Sequence, residues 1–452
     1  MKKFRDYQPN QALLFPVELN EWLPEGHPAR FVSEVVDELD LSEIYGSYDE
    51  LRGSPPYDPR MMVKVWIYAL MKGIRSSRKI EKALYEDVGF RFLSANQQPD
   101  HWTISEFRKR HHKVLGGLLE QTVRLADKAG LVKLRHVAID GTKIKANASK
   151  HSAMSYGYMK KEEQRLREEI ERMLKEADEI DRLEDKEYGD KSGWELPEEL
   201  STREKRLKAI RRARAELERE ARERHEREQA ERGEEAESRG KRHRPVKDPE
   251  DVKPKESDQW NFTDPDSRIM VNSDKAFIQG YNAQAAVDAE THIIVAADLG
   301  NQASDSGYLP EQVLQVVENT GRFPREVSAD AGYYSDKNIE FLEKKGIDVF
   351  IPPDKVRHSE WRTQNAIRGP IPRNATRKYL MRRKLRTKRG RERYKLRQTS
   401  VEPVFGFIKE GLNLRQFLLR GLEKVRSMWR FTCAVHNIWK MFRAGVSFST
   451  AS

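Results

Sequence analysis

The chain holds one cysteine in 452 residues. A single cysteine excludes an intrachain disulfide and any cysteine-rich zinc site. Cys433 lies in an aromatic helical stretch and reads as a small core residue. No apolar run approaches the roughly 18 residues needed to span a bilayer. The opening MKKFRDYQPNQ has two lysines but no apolar h-region, so no signal peptide is expected. Short catalytic motifs are missing as well. There is no GxxxxGK[ST] loop, HExxH, GxSxG or CxxC, so neither a nucleotide cofactor nor a classical hydrolase site is expected. Together these absences fit a soluble protein of a reducing compartment.

What the chain has in excess is charge. Charged residues make up 35% and the net charge is +11. That balance favours a polyanionic partner, nucleic acid before an anionic membrane. It concentrates between 355 and 397, where seventeen Lys or Arg face two acids. A run so one-sided repels itself unless it lies on a polyanion. Trp361, Tyr379 and Tyr394 are interspersed and suited to stacking on bases or ribose.

The texture of the chain predicts four stretches. Residues 1–130 read as an all-α domain. PRMMVKVWIYALMKGI is a buried helix opened by Pro59 and closed near Gly73. Ser76 is expected to cap the next helix. Thr103, with Glu106 in a capping box, should open a long one. RSSRK and FRKRHHK on these helices suit phosphates, though each alone is an ordinary solvated face. Residues 131–154 hold a first strand. In 155–255, Leu166, Ile170, Met173, Ala177 and Ile180 are spaced four and three apart. Leu207, Ile210, Ala213, Leu217 and Ala221 form a second stripe. These spacings predict an inserted antiparallel coiled-coil hairpin that fades into a charged linker. Residues 256–452 alternate strand and helix after a short meander, which predicts a mixed α/β sheet.

Two strands each run into an aspartate followed by a Gly-containing turn, HVAIDG at Asp140 and REVSADAG at Asp330. Strand interiors disfavour Asp, and a buried carboxylate needs a partner. Each aspartate alone could simply end its strand. In a mixed sheet the two can emerge from adjacent strand ends. A third acid, Glu402, opens a helix in SVEPVFGFIKEG, with Ser400 as N-cap and Pro403 in the first turn. Alone it is an ordinary dipole partner. Three carboxylates so placed repel one another, and divalent cations relieve that most cheaply. Oxygen ligands with open water positions suit Mg²⁺ or Mn²⁺. Asp288, Asp298 and Asp305 are further candidates for the same edge. His436, at helical spacing with Trp429 and Trp439, reads as a packing residue.

The stretches VAIDGTKIKANAS, NFTDPDSRIM, GYNAQAAVD, SADAGYYSDKN and SVEPVFGFIK, in that order, resemble a DDE transposase of a bacterial insertion sequence. The resemblance implies an N-terminal helical DNA-binding domain and an RNase H-like catalytic domain. It implies a metal-binding triad of Asp140, Asp330 and Glu402 holding two Mg²⁺ or Mn²⁺ ions. It also implies contacts to DNA by Tyr394, Arg397 and Lys409. The family spacing of Tyr, Arg, Glu and Lys is two, three and six intervening residues; here it is two, four and six. Lys143 and Lys145 are expected to steady a phosphate. The implied activity is cleavage at element ends and transfer of the 3′-hydroxyl into target DNA. The expected partners are double-stranded DNA and a second protomer, in the bacterial cytoplasm at the nucleoid. A nuclease of the same fold and an inactive DNA-binding scaffold are the rival readings.

Overall fold

The computed structural model describes residues 18–48, 55–188, 198–238, 252–272, 275–355 and 366–448. The amino-terminal stretch, the break at 189–197, the linker from 239 to 251, Trp361 and the Ala177 and Ile180 side chains lie outside the described residues. The chain divides into two compact units, Met1–Ile144 with Tyr281–Ser452, and Lys145–Gly280.

The first unit opens with helices α1 (Pro28–Asp37), α2 (Ser42–Gly46), α3 (Pro59–Met71), α4 (Ser77–Glu86), α5 (Val88–Leu93), α6 (His101–Arg110) and α7 (His112–Lys128). Asp58 caps α3, accepting from the Arg60 and Met61 amides at 2.7 and 3.1 Å, with Pro59 in the first turn. From Met61 to Met71 only Lys64 escapes burial. Gly73, at φ +69°, turns the chain out of this helix. The expected start at Thr103 is corrected. Asp100 is the cap, accepting from the Thr103 amide at 2.7 Å, and α6 begins at His101. A break at His111 then divides the expected single helix into α6 and α7. Ser76 does precede α4, but its side chain makes no cap bond.

The sheet follows. Strands β1 (Val137–Lys145), β5 (Phe277–Asp288), β6 (Ile294–Gly300), β7 (Glu326–Ser328) and β8 (Asp348–Phe350) lie in the order β6-β5-β1-β7-β8. β5 and β6 are antiparallel, whereas β1, β7 and β8 are mutually parallel. Helices α10 (Tyr308–Thr320), α11 (Asp336–Lys344), α12 (Arg377–Leu385), α13 (Lys388–Glu410) and α14 (Leu422–Arg443) complete the unit. α14 packs on α7 and β6. Its Asn437 accepts from the Ile294 amide at 2.8 Å and donates to the Ile294 carbonyl at 2.9 Å. A side chain thus satisfies backbone groups that β6 would otherwise bury unpaired. Trp429 donates to the Gln284 carbonyl of β5 at 2.9 Å. His436 is buried, with a ring nitrogen against the His292 carbonyl at 3.0 Å, as a packing residue should be.

Two sequence readings change here. β1 does not stop at Asp140 but continues through Gly141 to Lys145. The helix carrying Glu402 does not start at Ser400. It runs unbroken from Lys388, capped by Thr387, and contains Pro403. Pro403 has no N–H for the Thr399 carbonyl four residues earlier, and the His292 ring stands against that carbonyl instead. Ser400 bonds back to the Leu396 carbonyl at 2.7 Å, as a mid-helix serine can.

In the second unit, β2 (Ala153–Ser155) pairs antiparallel with β3 (Gln259–Asn261), and β4 (Arg268–Val271) with the first residues of β5. Helices α8 (Tyr156–Tyr188) and α9 (Glu198–Ser238) bury Met159, Leu166, Ile170, Leu207, Ile210, Ala213 and Leu217 in one cluster.

Candidate active site

The parallel register of β1 and β7 builds the site. Val137 pairs with Val327 and Ala138 with Ser328. Two residues further along each chain stand Asp140 and Asp330, which share a side with their paired predecessors in extended backbone. Asp330 therefore sits just past the carboxyl end of β7, the usual position of a ligand edge in α/β sheets, and Asp140 lies within β1 just beyond the part that pairs with β7. Asp140 accepts from the Gly141 amide at 2.9 Å. Asp330 leads a short 3₁₀ turn, Ala331–Tyr333, and accepts from the Gly332 amide at 2.8 Å.

Arg397 of α13 donates to Asp140 Oδ2 at 2.5 Å. Burial pushes the Asp140 carboxyl up to about 6; Arg397 opposes that, and Asp330 and Asp305 add to it. Burial alone would discourage the Arg397 charge. Asp140, Tyr394, Asp330 and Glu402 together more than offset this and raise it above its ordinary value. The guanidinium carbon lies 5.9 Å from the centre of the Tyr394 ring.

Basic residues of the same segment hold α13 against the sheet. Arg389 reaches Glu326 at 3.1 Å and Asp348 at 3.0 Å, and Arg393 reaches Glu326 at 3.1 Å. Lys384 pairs with Asp348 and Arg382 with Asp354. Glu326 also accepts from buried His136, Nδ1 to Oε2, at 3.0 Å. Part of the basic run is thus paired with acids of the protein itself. The acids concerned are far away in sequence, so local charge counting missed them.

Glu402 is exposed and five residues beyond Arg397, which turns it about 140° round the helix. It shares Arg397's electrostatic field with Asp140 and Asp330. Among the described residues no three His, Cys, Asp or Glu side chains converge as a metal-ligating group. The structure therefore brings Asp140, Asp330, Tyr394 and Arg397 together and leaves Glu402 at the margin. Lys409 lies seven residues after Glu402, on the same helical stripe. Lys143 pairs with Asp305 at 2.9 Å, and Lys145 is exposed at the end of β1.

Sequence reasoning missed a polar cluster beneath the acids. Asn282 and Gln284 are buried amides at alternate positions of β5. Gln284 accepts from the Tyr333 hydroxyl. Its amide donates to Asn282 Oδ1 at 2.8 Å and to Asp305 Oδ1 at 3.0 Å. The period-two pair of amides in YNAQAA was the available signal.

Comparison with known families decides the class. Residues 17–110 match a family described as Transposase domain (DUF772), and residues 253–438 match the Transposase DDE domain. The chain belongs to the DDE transposases of insertion sequences. No curated protein and no solved structure gives a significant match. The transposase catalyses phosphodiester cleavage and transesterification on DNA. Its DDE domain carries the RNase H-like fold, consistent with the mixed sheet, and the family uses divalent metal ions. Asp330 and Glu402 fall inside the DDE match, whereas Asp140 precedes it. No described helix of the transposase is long and apolar enough to cross a membrane. The nuclease and scaffold readings gain nothing from these matches.

Proposed function

We propose that Asp140, Asp330 and Glu402 are the acidic triad of this transposase and bind two Mg²⁺ or Mn²⁺ ions. The β1–β7 register, which sets Asp140 and Asp330 each two residues past a paired position, carries this reading. The donor set fits a hard cation. It consists of carboxylate oxygens, and Asp140 already pairs with the buried cation of Arg397. When bound, such ions activate a water or sugar hydroxyl and stabilise the leaving oxygen of a phosphodiester.

The chain's own residues prepare that edge. Backbone amides of Gly141 and Gly332 orient the two aspartates. Arg397 neutralises Asp140 in the resting protein and is free to turn towards a DNA phosphate once another cation takes over that charge. Tyr394, Lys409, Lys143 and Lys145 provide further contacts along the DNA backbone. For Glu402 to join the two aspartates, α13 has to rotate or bend near Pro403, where the backbone ladder is already interrupted.

Residues 1–130 serve as the DNA-binding domain, 131–154 and 256–452 as the catalytic domain, and 155–255 as an inserted antiparallel coiled-coil hairpin. A cleft of about 540 Å³ lined in part by Arg110, His111, His112 and Lys113 supports the first assignment. Partner order supports the last. Glu162 and Glu163 pair with Arg206, Arg211 and Arg214, while Glu169, further along α8, pairs with the earlier Arg203. The working form is a homodimer in the bacterial cytoplasm at the nucleoid, one protomer on each element end, which light scattering with and without end DNA tests.

Asp330→Asn tests the triad. Cleavage should disappear while binding to end DNA, read by gel shift, stays within about twofold, since the carboxamide keeps the shape and removes only the charge. A variant that still cuts at the parent rate overturns the assignment.

A further inference from the structure

We infer that Asp305 is a positioning residue of the reaction centre, clamped by Asn282 and Gln284 so that it fixes the Lys143 ammonium beside the two aspartates. The inference rests on the reading of Asp140 and Asp330 as that centre.

Asp305 lies in the loop between β6 and α10, where a carboxylate has no need to turn inward. Yet its Oδ1 accepts from three donors: Lys143 Nζ at 2.9 Å, Asn282 Nδ2 at 2.7 Å and Gln284 Nε2 at 3.0 Å. The Lys143 and Asp305 side chains are only 16% and 22% exposed. A lysine so held has lost the rotamer freedom that an exposed lysine keeps. The other oxygen lies in the neighbourhood of the second aspartate. An ideal Cβ on Gly332 would stand 2.9 Å from Asp330 Oδ1 and 3.5 Å from Asp305 Oδ2, so those oxygens are at most 6.4 Å apart. The cluster also crowds β1. A Cβ on Gly141 would stand 2.3 Å from Gln284 Nε2 and 3.0 Å from Asp305 Oδ1. Gly141, next to Asp140 in the chain, therefore leaves the room in which Asp305 reaches Lys143.

The arrangement has a chemical use. A cleaved phosphodiester gathers negative charge, and a fixed ammonium next to the acids offsets it without reorganisation during the step. Asp305 carries the opposite charge to Lys143 and holds it in one place. Asn282 and Gln284 are neutral, buried and bonded to each other at 2.8 Å, so they locate Asp305 without adding charge. Asp305 thus acts through Lys143.

The test uses the full-length protein, a fluorescent pre-cleaved duplex made from the DNA flanking the reading frame, and a plasmid target. Asp305→Asn should lower the joining rate about 10- to 100-fold, the loss expected when a group is misplaced by an ångström. The dissociation constant for the duplex should stay within about twofold. Lys143→Met should lose a similar factor, and the double variant little more than either single one, because both remove the same interaction. A parent rate in Asp305→Asn, or losses that multiply in the double variant, overturns the inference. So does an equal loss of duplex affinity. Should Asp305→Asn fail to fold, Asn282→Ser removes one donor and neither charge. It should slow joining several-fold at unchanged affinity, and a parent rate again overturns the proposal. Asp330→Asn is run alongside. If it still joins DNA, the reading of the centre fails; if it is inactive while Asp305→Asn is normal, only the role of Asp305 fails.

Discussion

Replacing Gly141 by alanine adds one methyl group where three polar atoms already stand. The new Cβ would lie 2.3 Å from Gln284 Nε2, 3.0 Å from Asp305 Oδ1 and 3.1 Å from Asn282 Oδ1. Gly141 has no left-handed backbone, so alanine adopts the required conformation. Lower entropy of the unfolded chain then favours the variant by about 0.4–1 kcal/mol. Overpacking opposes this with about 1–3 kcal/mol. Gln284 cannot swing away cheaply, because its carbonyl oxygen accepts from Tyr333 and its backbone carbonyl from Trp429. The clash should win, leaving the variant about 1–2 kcal/mol less stable. Activity should suffer more, since β1 must shift and Asp140 is the adjacent residue; a displacement near 1 Å costs about 100-fold. Urea unfolding reads the first effect and single-turnover cleavage the second. Gly117→Ala is the control, because nothing stands within 4 Å of its Cβ and α7 should gain about 0.5–1 kcal/mol. A Gly141→Ala protein with the parent's midpoint and the parent's cleavage rate would refute the packing argument.

Arg397→Gln leaves Asp140 buried beside two other carboxylates, so the metal-free protein should lose about 3–5 kcal/mol, the usual result of removing one member of a buried pair. Mg²⁺ should restore part of the loss in thermal unfolding, and EDTA should abolish the restoration; equal stability of variant and parent without metal counts against the pairing. Burial lowers His436 from 6.5 to about 4. Below pH 6.5 the unfolded chain takes a proton that the folded protein refuses, so stability falls between pH 6.5 and 4 by about 3 kcal/mol from this residue. His436→Gln should flatten that part of the pH profile, and an unchanged slope contradicts it. Asn437→Ala strips both bonds from Ile294 and should cost about 2–4 kcal/mol in denaturant unfolding, unless water replaces the amide.

Much of this transposase was legible along the chain because the signals are local. Asp58 and Pro59 before an apolar run mark α3, and the alternation of apolar stretches with turn residues marks the meander and the strand–helix repeats that follow it. Net charge pointed to a polyanion, and the ordered motifs pointed to the family that the comparisons support. Local signals also misled where two readings compete. Thr103 resembled a cap, yet Asp100, three residues earlier, took that place. Ser400 and Pro403 resembled a helix start, yet the helix begins at Lys388 and runs through the proline.

Tertiary structure alone decided which charges are occupied. Glu326 and Asp348 pair with Arg389 and Arg393 of the basic run, on the same helix whose Arg397 meets Asp140. It also decided that Asp305, rather than Asp288 or Asp298, turns towards the acid pair. Periodicity tells which face of an element is buried. Which carboxylate faces which cation depends on contacts between residues as many as 257 positions apart, and no local pattern records those.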